Sequence, residues 1–156
     1  IDAAEGTIEE KAESLRSLGV FRAYSEVISE YLSQSSLPTS DLESLKRSTF
    51  LVWYCLNEPP CITGVDELPD GAQSKVASLI LQSLGNLDDE FLWMLRYYLV
   101  GGEWCFPGLL ENQDLSDRLE SVEADAWRSN VADPSKMAGR GAMGRYWRSL
   151  DPEIAA

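Results

Sequence analysis

Apolar residues recur every three or four positions along most of this chain, the spacing of helices with one buried face. Ile8, Ala12, Leu15 and Leu18 share a face behind Thr7 and Glu10, which stand at capping-box spacing. Gly19 is placed to close that helix in a left-handed turn. Phe21, Tyr24, Ile28 and Tyr31 resume the period, and Ser35, Ser36, Pro38 and Thr39 read as a loop. Ser40 and Glu43 offer a second capping box, followed by a stripe of Leu42, Leu45, Thr49, Val52 and Leu56. The stretch NEPPCITGVDELPDG, Asn57 to Gly71, has no period and many turn formers, and predicts a long loop of the kind that often carries function. Asp70 and Gln73 restart a helix whose buried face is Val76, Leu79, Ile80 and Leu84. Gly85 and Asn86 close it, with Asn86 placed to cap the next helix, so the two form an antiparallel hairpin.

From Phe91 to Val100 the chain is apolar almost all round, interrupted by Arg96 alone. A helix without a polar face belongs in the middle of a domain. Phe, Trp, Tyr and Val also suit a buried strand. Asp88, Asp89 and Glu90 favour the helix, because negative charge is stabilising at a helix N-terminus. Arg96 is expected to be buried or half-buried and paired with a carboxylate, since an uncompensated buried charge costs about 3–5 kcal/mol. Beyond the irregular EWCFPGLLENQ, Asp114 is expected to cap a helix with Leu115, Leu119, Val122 and Ala126 on one face. Asp133 and Pro134 read as a cap followed by proline at the first helical position. These elements predict an all-α fold of about six helices in antiparallel pairs around the Phe91–Val100 helix. TFLVWYCL from Thr49 echoes EFLWMLRYYL from Glu90 at a distance of 41 residues, with a slip in register. That period would suit HEAT-like helical hairpins.

Charge divides the chain. The net charge is −13, made of −15 over residues 1–133 and +2 over residues 134–156. The expected organisation is an acidic helical domain over 1–133 and a Gly-containing, mildly basic, aromatic tail over 134–156, docked on the domain or on a second copy. Tyr146, Trp147 and Leu150 supply the tail's apolar area, with Arg145 and Arg148 beside them. Trp104 and Phe106 stand out in the connection after the apolar helix. Aromatic residues and arginine are the usual anchors of protein interfaces, so Trp104, Phe106, Arg145, Tyr146, Trp147 and Arg148 are the candidate interaction residues. An acidic surface repels nucleic acid and anionic lipid and attracts basic proteins.

Several chemistries drop out on composition. The chain has no histidine, which removes Ser-His-Asp and Cys-His catalysis and His-ligated zinc. Cys55, Cys61 and Cys105 lack C-x-x-C spacing, and an odd count in a domain with an adequate core points to reduced thiols and a cytoplasmic setting. The chain opens on Ile1, which reads as a fragment or a processed form, and neither a signal peptide nor a spanning segment is expected from it. GRGAMG, Gly139 to Gly144, matches the dinucleotide signature G-x-G-x-x-G. That signature needs a strand before it and a βαβ unit of about 30 residues around it, neither of which fits here. The glycines are read instead as flexible hinges of the tail. No metal, cofactor or catalytic residue is assigned. The expected function is a non-catalytic protein-binding module with a basic protein partner: an adaptor, or a neutraliser such as a bacterial immunity or inhibitor protein. The alternative is a carboxylate-based enzyme or small-molecule binder with a pocket between loops 57–71 and 103–110, where Glu58, Asp66, Glu67 and Glu103 lie.

Overall fold

The computed structural model describes residues 6–37, 42–123 and 134–150, and every regular element among them is helical. In chain order these are α1 Ile8–Ser17, α2 Val20–Ser35, α3 Leu42–Asn57, α4 Pro60–Thr63, α5 Ala72–Gln82, α6 Asp89–Leu99, α7 Gln113–Ser121, α8 Pro134–Met137 and α9 Gly141–Ser149. Single 3₁₀ turns occupy Leu84–Asn86, Glu103–Cys105 and Leu109–Glu111. No helix among the described residues is long and apolar enough to cross a membrane.

Helix ends follow local chemistry. At α1 the capping box is complete: Thr7 Oγ1 accepts from the Glu10 amide at 3.3 Å, and the Glu10 carboxylate accepts from the Thr7 amide at 2.8 Å. Gly19, with φ of 72°, separates α1 from α2. Ser40, expected to cap α3, lies outside the described residues, as do Ala126 and Asp133. Three caps differ from expectation. Gly71 rather than Asp70 precedes α5, Asp88 rather than Asn86 caps α6, and Asn112 rather than Asp114 caps α7. Asp88 and Asn112 each sit one position before the helical turn whose third residue carries the orphan amide, and each accepts that bond. Segment 57–71 is not one long loop: Pro60 starts the short helix α4, which buries Cys61 and Thr63. Proline at the first helical position loses no hydrogen bond and has the required φ.

The main core gathers side chains from α2, α3, α5, α6, α7 and α9. On α6, Phe91 to Leu95, Tyr98 and Leu99 are buried, so the helix is enclosed on most of its circumference. It ends at Leu99, and Val100, read as its last apolar residue, is exposed. Trp53 and Trp93 lie in this core, as do Phe50 and Leu51 of α3. A smaller cluster of Leu15, Phe21 and Cys61 holds α1, α2 and α4 together.

Arg96 corrects one expectation. It is half-buried, but no carboxylate pairs with it among the described residues. Its Nη1 donates instead to carbonyls at the C-terminal end of α7: Leu119 at 3.0 Å, Glu120 at 3.4 Å and Val122 more closely still. Unpaired helix-end carbonyls carry partial negative charge and satisfy a guanidinium as a carboxylate would. Arg118 of α7 makes the reciprocal clasp, donating to the Leu84 carbonyl and, at 2.9 Å, to the Leu87 carbonyl ahead of α6.

Candidate interaction surface

Met137, Met143 and Trp147 of the C-terminal segment belong to the main core. Gly139 and Gly141 adopt left-handed φ of 74° and 60°, which turns the chain sharply from α8 into α9. GRGAMG follows the helix α8 and not the strand that a dinucleotide signature requires, and its last four residues are the first turn of α9. Gly144 lies inside that helix and is buried against α8, where a Cβ would stand 2.2 Å from the Met137 carbonyl oxygen. Only glycine allows the two short helices to approach so closely.

Arg140, between the glycines, closes an ion network. Its Nη1 and Nη2 each bond a Glu90 carboxylate oxygen at 2.8 Å, and Nη2 also reaches Glu43 at 2.6 Å. Lys46, whose side chain is only 6% exposed, bonds Glu90 at 2.5 Å and Asp88 at 2.7 Å. Arg47 bonds Glu43 at 2.7 Å, and donates to the Gly139 carbonyl and the Tyr31 hydroxyl at 3.3 Å each. Three cations thus meet three carboxylates, so the buried charges are compensated. Burial alone would push the Glu90 carboxyl up, but the bonds from Arg140 and Lys46 overcome this and hold it below the ordinary range. The network joins α3, the first turn of α6 and the entry to α9.

Behind it α9 packs its aromatic face. Trp147 is 0% exposed, its ring edge-on to Trp93 at 4.4 Å and to Tyr97 at 4.9 Å. Tyr146 is half-buried among Phe50, Trp53 and Tyr54, and its hydroxyl meets that of Tyr97 at 2.7 Å. Burial and the Tyr97 contact raise its pKa far above the usual phenol range. Among the described residues the buried Trp93 Nε1 has no hydrogen-bond partner, and the buried Tyr98 hydroxyl meets the Trp147 side chain. Arg145 and Arg148 point outward.

The candidate interaction residues therefore separate. Trp147 and Phe106, the latter 1% exposed, are internal, while Trp104 is 54% exposed on the connection between α6 and α7. Exposed Val100 and Leu110 belong to the same connection, together with exposed Glu103 and Glu111. The backbone beneath Trp104 is held by Gln73 of α5, which donates to the Cys105 carbonyl at 3.1 Å, and by burial of Cys105, Phe106 and Leu109. Asn57 reaches Cys105 Sγ at 3.4 Å.

The acid candidates are scattered: Asp66 bonds Arg16 at 3.1 Å, Glu67 and Glu103 are exposed on different connections, and Glu58 follows the last residue of α3. All three cysteines are free thiols. Burial, with the charge of Asp66, pushes Cys55 up to about 11, and burial also raises Cys105, so neither is an activated thiolate. Cys61, Ile62 and Thr63 line a cleft of about 630 Å³, but its far wall is α9 and not the 103–110 connection.

Comparison with protein-family models, curated protein sequences and solved structures finds no match to this chain.

Proposed function

We propose that the protein is a non-catalytic binding module for a basic protein, engaged through the α6–α7 connection around Trp104. The observation that carries this reading is Trp104 itself, half-exposed on a backbone that is pinned from below, in a connection that also exposes Val100, Leu110 and two carboxylates. An exposed tryptophan on a firm base is an inexpensive anchor, because little conformational freedom is lost when a partner covers it. Charge supports the same reading. Lys46, Arg47 and Arg140 are engaged with internal carboxylates, and Arg96 and Arg118 with carbonyls, so much of the positive charge is turned inward in a chain of net −13. Two such acidic faces repel each other, which favours a basic partner over a second copy of this chain. An adaptor, or a neutraliser of the immunity or inhibitor kind, would work in this way. Helices α2 and α3 are in contact, as are α6 and α7, and a scaffold of HEAT-like hairpins would be suited to presenting inter-helix connections.

The test is capture with the whole chain, wild type beside Trp104→Ala, followed by titration of the retained protein in purified form. A basic partner whose affinity falls at least tenfold with Trp104→Ala and weakens with salt supports the reading. Equal affinity of both forms for every retained protein overturns it.

A further inference from the structure

Two cavities adjoin along α9. The larger, about 630 Å³, lies between α1, α4 and the outer face of α9, with Lys11, Tyr54, Thr63 and Arg145 on its walls. The smaller, about 260 Å³, opens between α2, α3 and the first turn of α9, and is walled by Ala23, Val27, Tyr31, Leu51 and Met143. Tyr24 and Ala142 line both, so the two chambers lie on either side of that pair. Both volumes together fall within the roughly 300–1,000 Å³ of ordinary small-ligand sites.

The chambers differ in chemistry. Lys11 and Arg145 have no hydrogen-bond or carboxylate partner among the described residues, although the chain carries twice as many acids as bases. Of the acids near this end, Glu10 is engaged in the capping box at Thr7, and Glu58 makes its charge felt at the Tyr146 hydroxyl. The smaller chamber presents aliphatic and aromatic surface. Its two arginines, Arg47 and Arg140, are already bonded to Glu43 and Glu90 and do not offer free charge. A wide mouth whose Lys11 and Arg145 have no partner among the described residues therefore adjoins a narrow apolar end.

We infer that this double cleft binds a medium-chain alkyl carboxylate. The headgroup lies at Lys11 and Arg145, and the chain crosses Tyr24 and Ala142 into the Ala23–Val27–Met143 chamber. A phosphate or short dicarboxylate would leave the apolar end unfilled, and a neutral alcohol would leave the cations unpaired. This site is separate from Trp104 and does not depend on the protein-binding reading.

Calorimetric titration of the whole chain with hexanoate, octanoate and decanoate tests it. Affinity should rise about three- to fourfold per added methylene while the apolar chamber fills. Decanol should bind at least about tenfold more weakly than decanoate, the factor of one charge-assisted hydrogen bond. Arg145→Gln should weaken decanoate by a similar factor and leave decanol unchanged. Arg148→Gln, the same charge change on an outward residue that does not line the cleft, should leave decanoate unchanged. Arg145 is exposed, so its variant should keep the wild-type circular dichroism. No heat with millimolar decanoate, equal binding of decanol, or equal effects of the two arginine variants would each overturn the proposal.

Discussion

Arg140 grips Glu90 with both guanidinium nitrogens at 2.8 Å, across 50 residues of chain. The pair ties the entry of α9 to the first turn of α6, and both side chains are largely withdrawn from water. Arg140→Ala would leave Glu90 to Lys46 alone and remove the bond to Glu43 as well. The expected loss is about 3 kcal/mol by urea denaturation, at the lower end for a broken buried pair because some solvent reaches it. The double variant Arg140→Ala, Glu90→Gln should recover part of this. A coupling energy below about 0.5 kcal/mol in the double-mutant cycle would mark the pair as equivalent to a surface contact.

The same network sets an acid limit. Glu90 has its pKa depressed in the folded state, so its contribution is fully present above the unfolded carboxyl value of about 4.3. It is lost as pH falls from there through the folded value. Stability against urea should lose this contribution below about pH 4, and the loss should be shallower in Glu90→Gln. Identical pH profiles for the two proteins would contradict a depressed Glu90.

Gly144→Ala sets two effects in opposition. Alanine is favoured over glycine inside a helix by about 1 kcal/mol. The new methyl would stand 2.2 Å from the Met137 carbonyl oxygen, which is backbone and cannot swing aside. Overpacking of this kind typically costs about 1–3 kcal/mol, so the variant should be destabilised on balance. A rise in Tm would show that α8 yields without cost.

Trp147→Ala and Arg148→Ala should differ sharply, although the residues are adjacent. Trp147 is fully buried against Trp93 and Tyr97, and its truncation should cost about 3–5 kcal/mol. Arg148 is exposed, and its loss should stay within about 0.5 kcal/mol. Trp147→Phe should cost less than Trp147→Ala, because a phenyl ring refills much of the space the indole occupies. Thermal denaturation of the three variants side by side would expose any other order.

Much of the local structure was legible from spacing alone. The capping box of Thr7 and Glu10, the stripe of α3 and the acidic start of α6 rest on spacings within a few helical turns, and these are written in neighbouring residues. The caps at Asp70 and Asp114 misled because several polar residues near a helix start compete for one orphan amide, and only the backbone path decides which is aligned. Segment 57–71 hid α4 for a related reason: four residues carry too little period to register, and their helix is held by burial of Cys61 and Thr63.

The composition of the chain settled that it is helical, acidic and without histidine chemistry, because periodicity and residue counts are properties of the sequence itself. What each charge and each aromatic does was decided by the tertiary structure. Arg96 took carbonyls instead of a carboxylate. Lys46 and Arg140 found Asp88, Glu90 and Glu43 from distant segments. Trp147 went inside while Trp104 stayed out. Such pairings are long-range: their energies depend on which surfaces the packed helices bring within a few ångströms, and spacing along a chain carries no record of that distance.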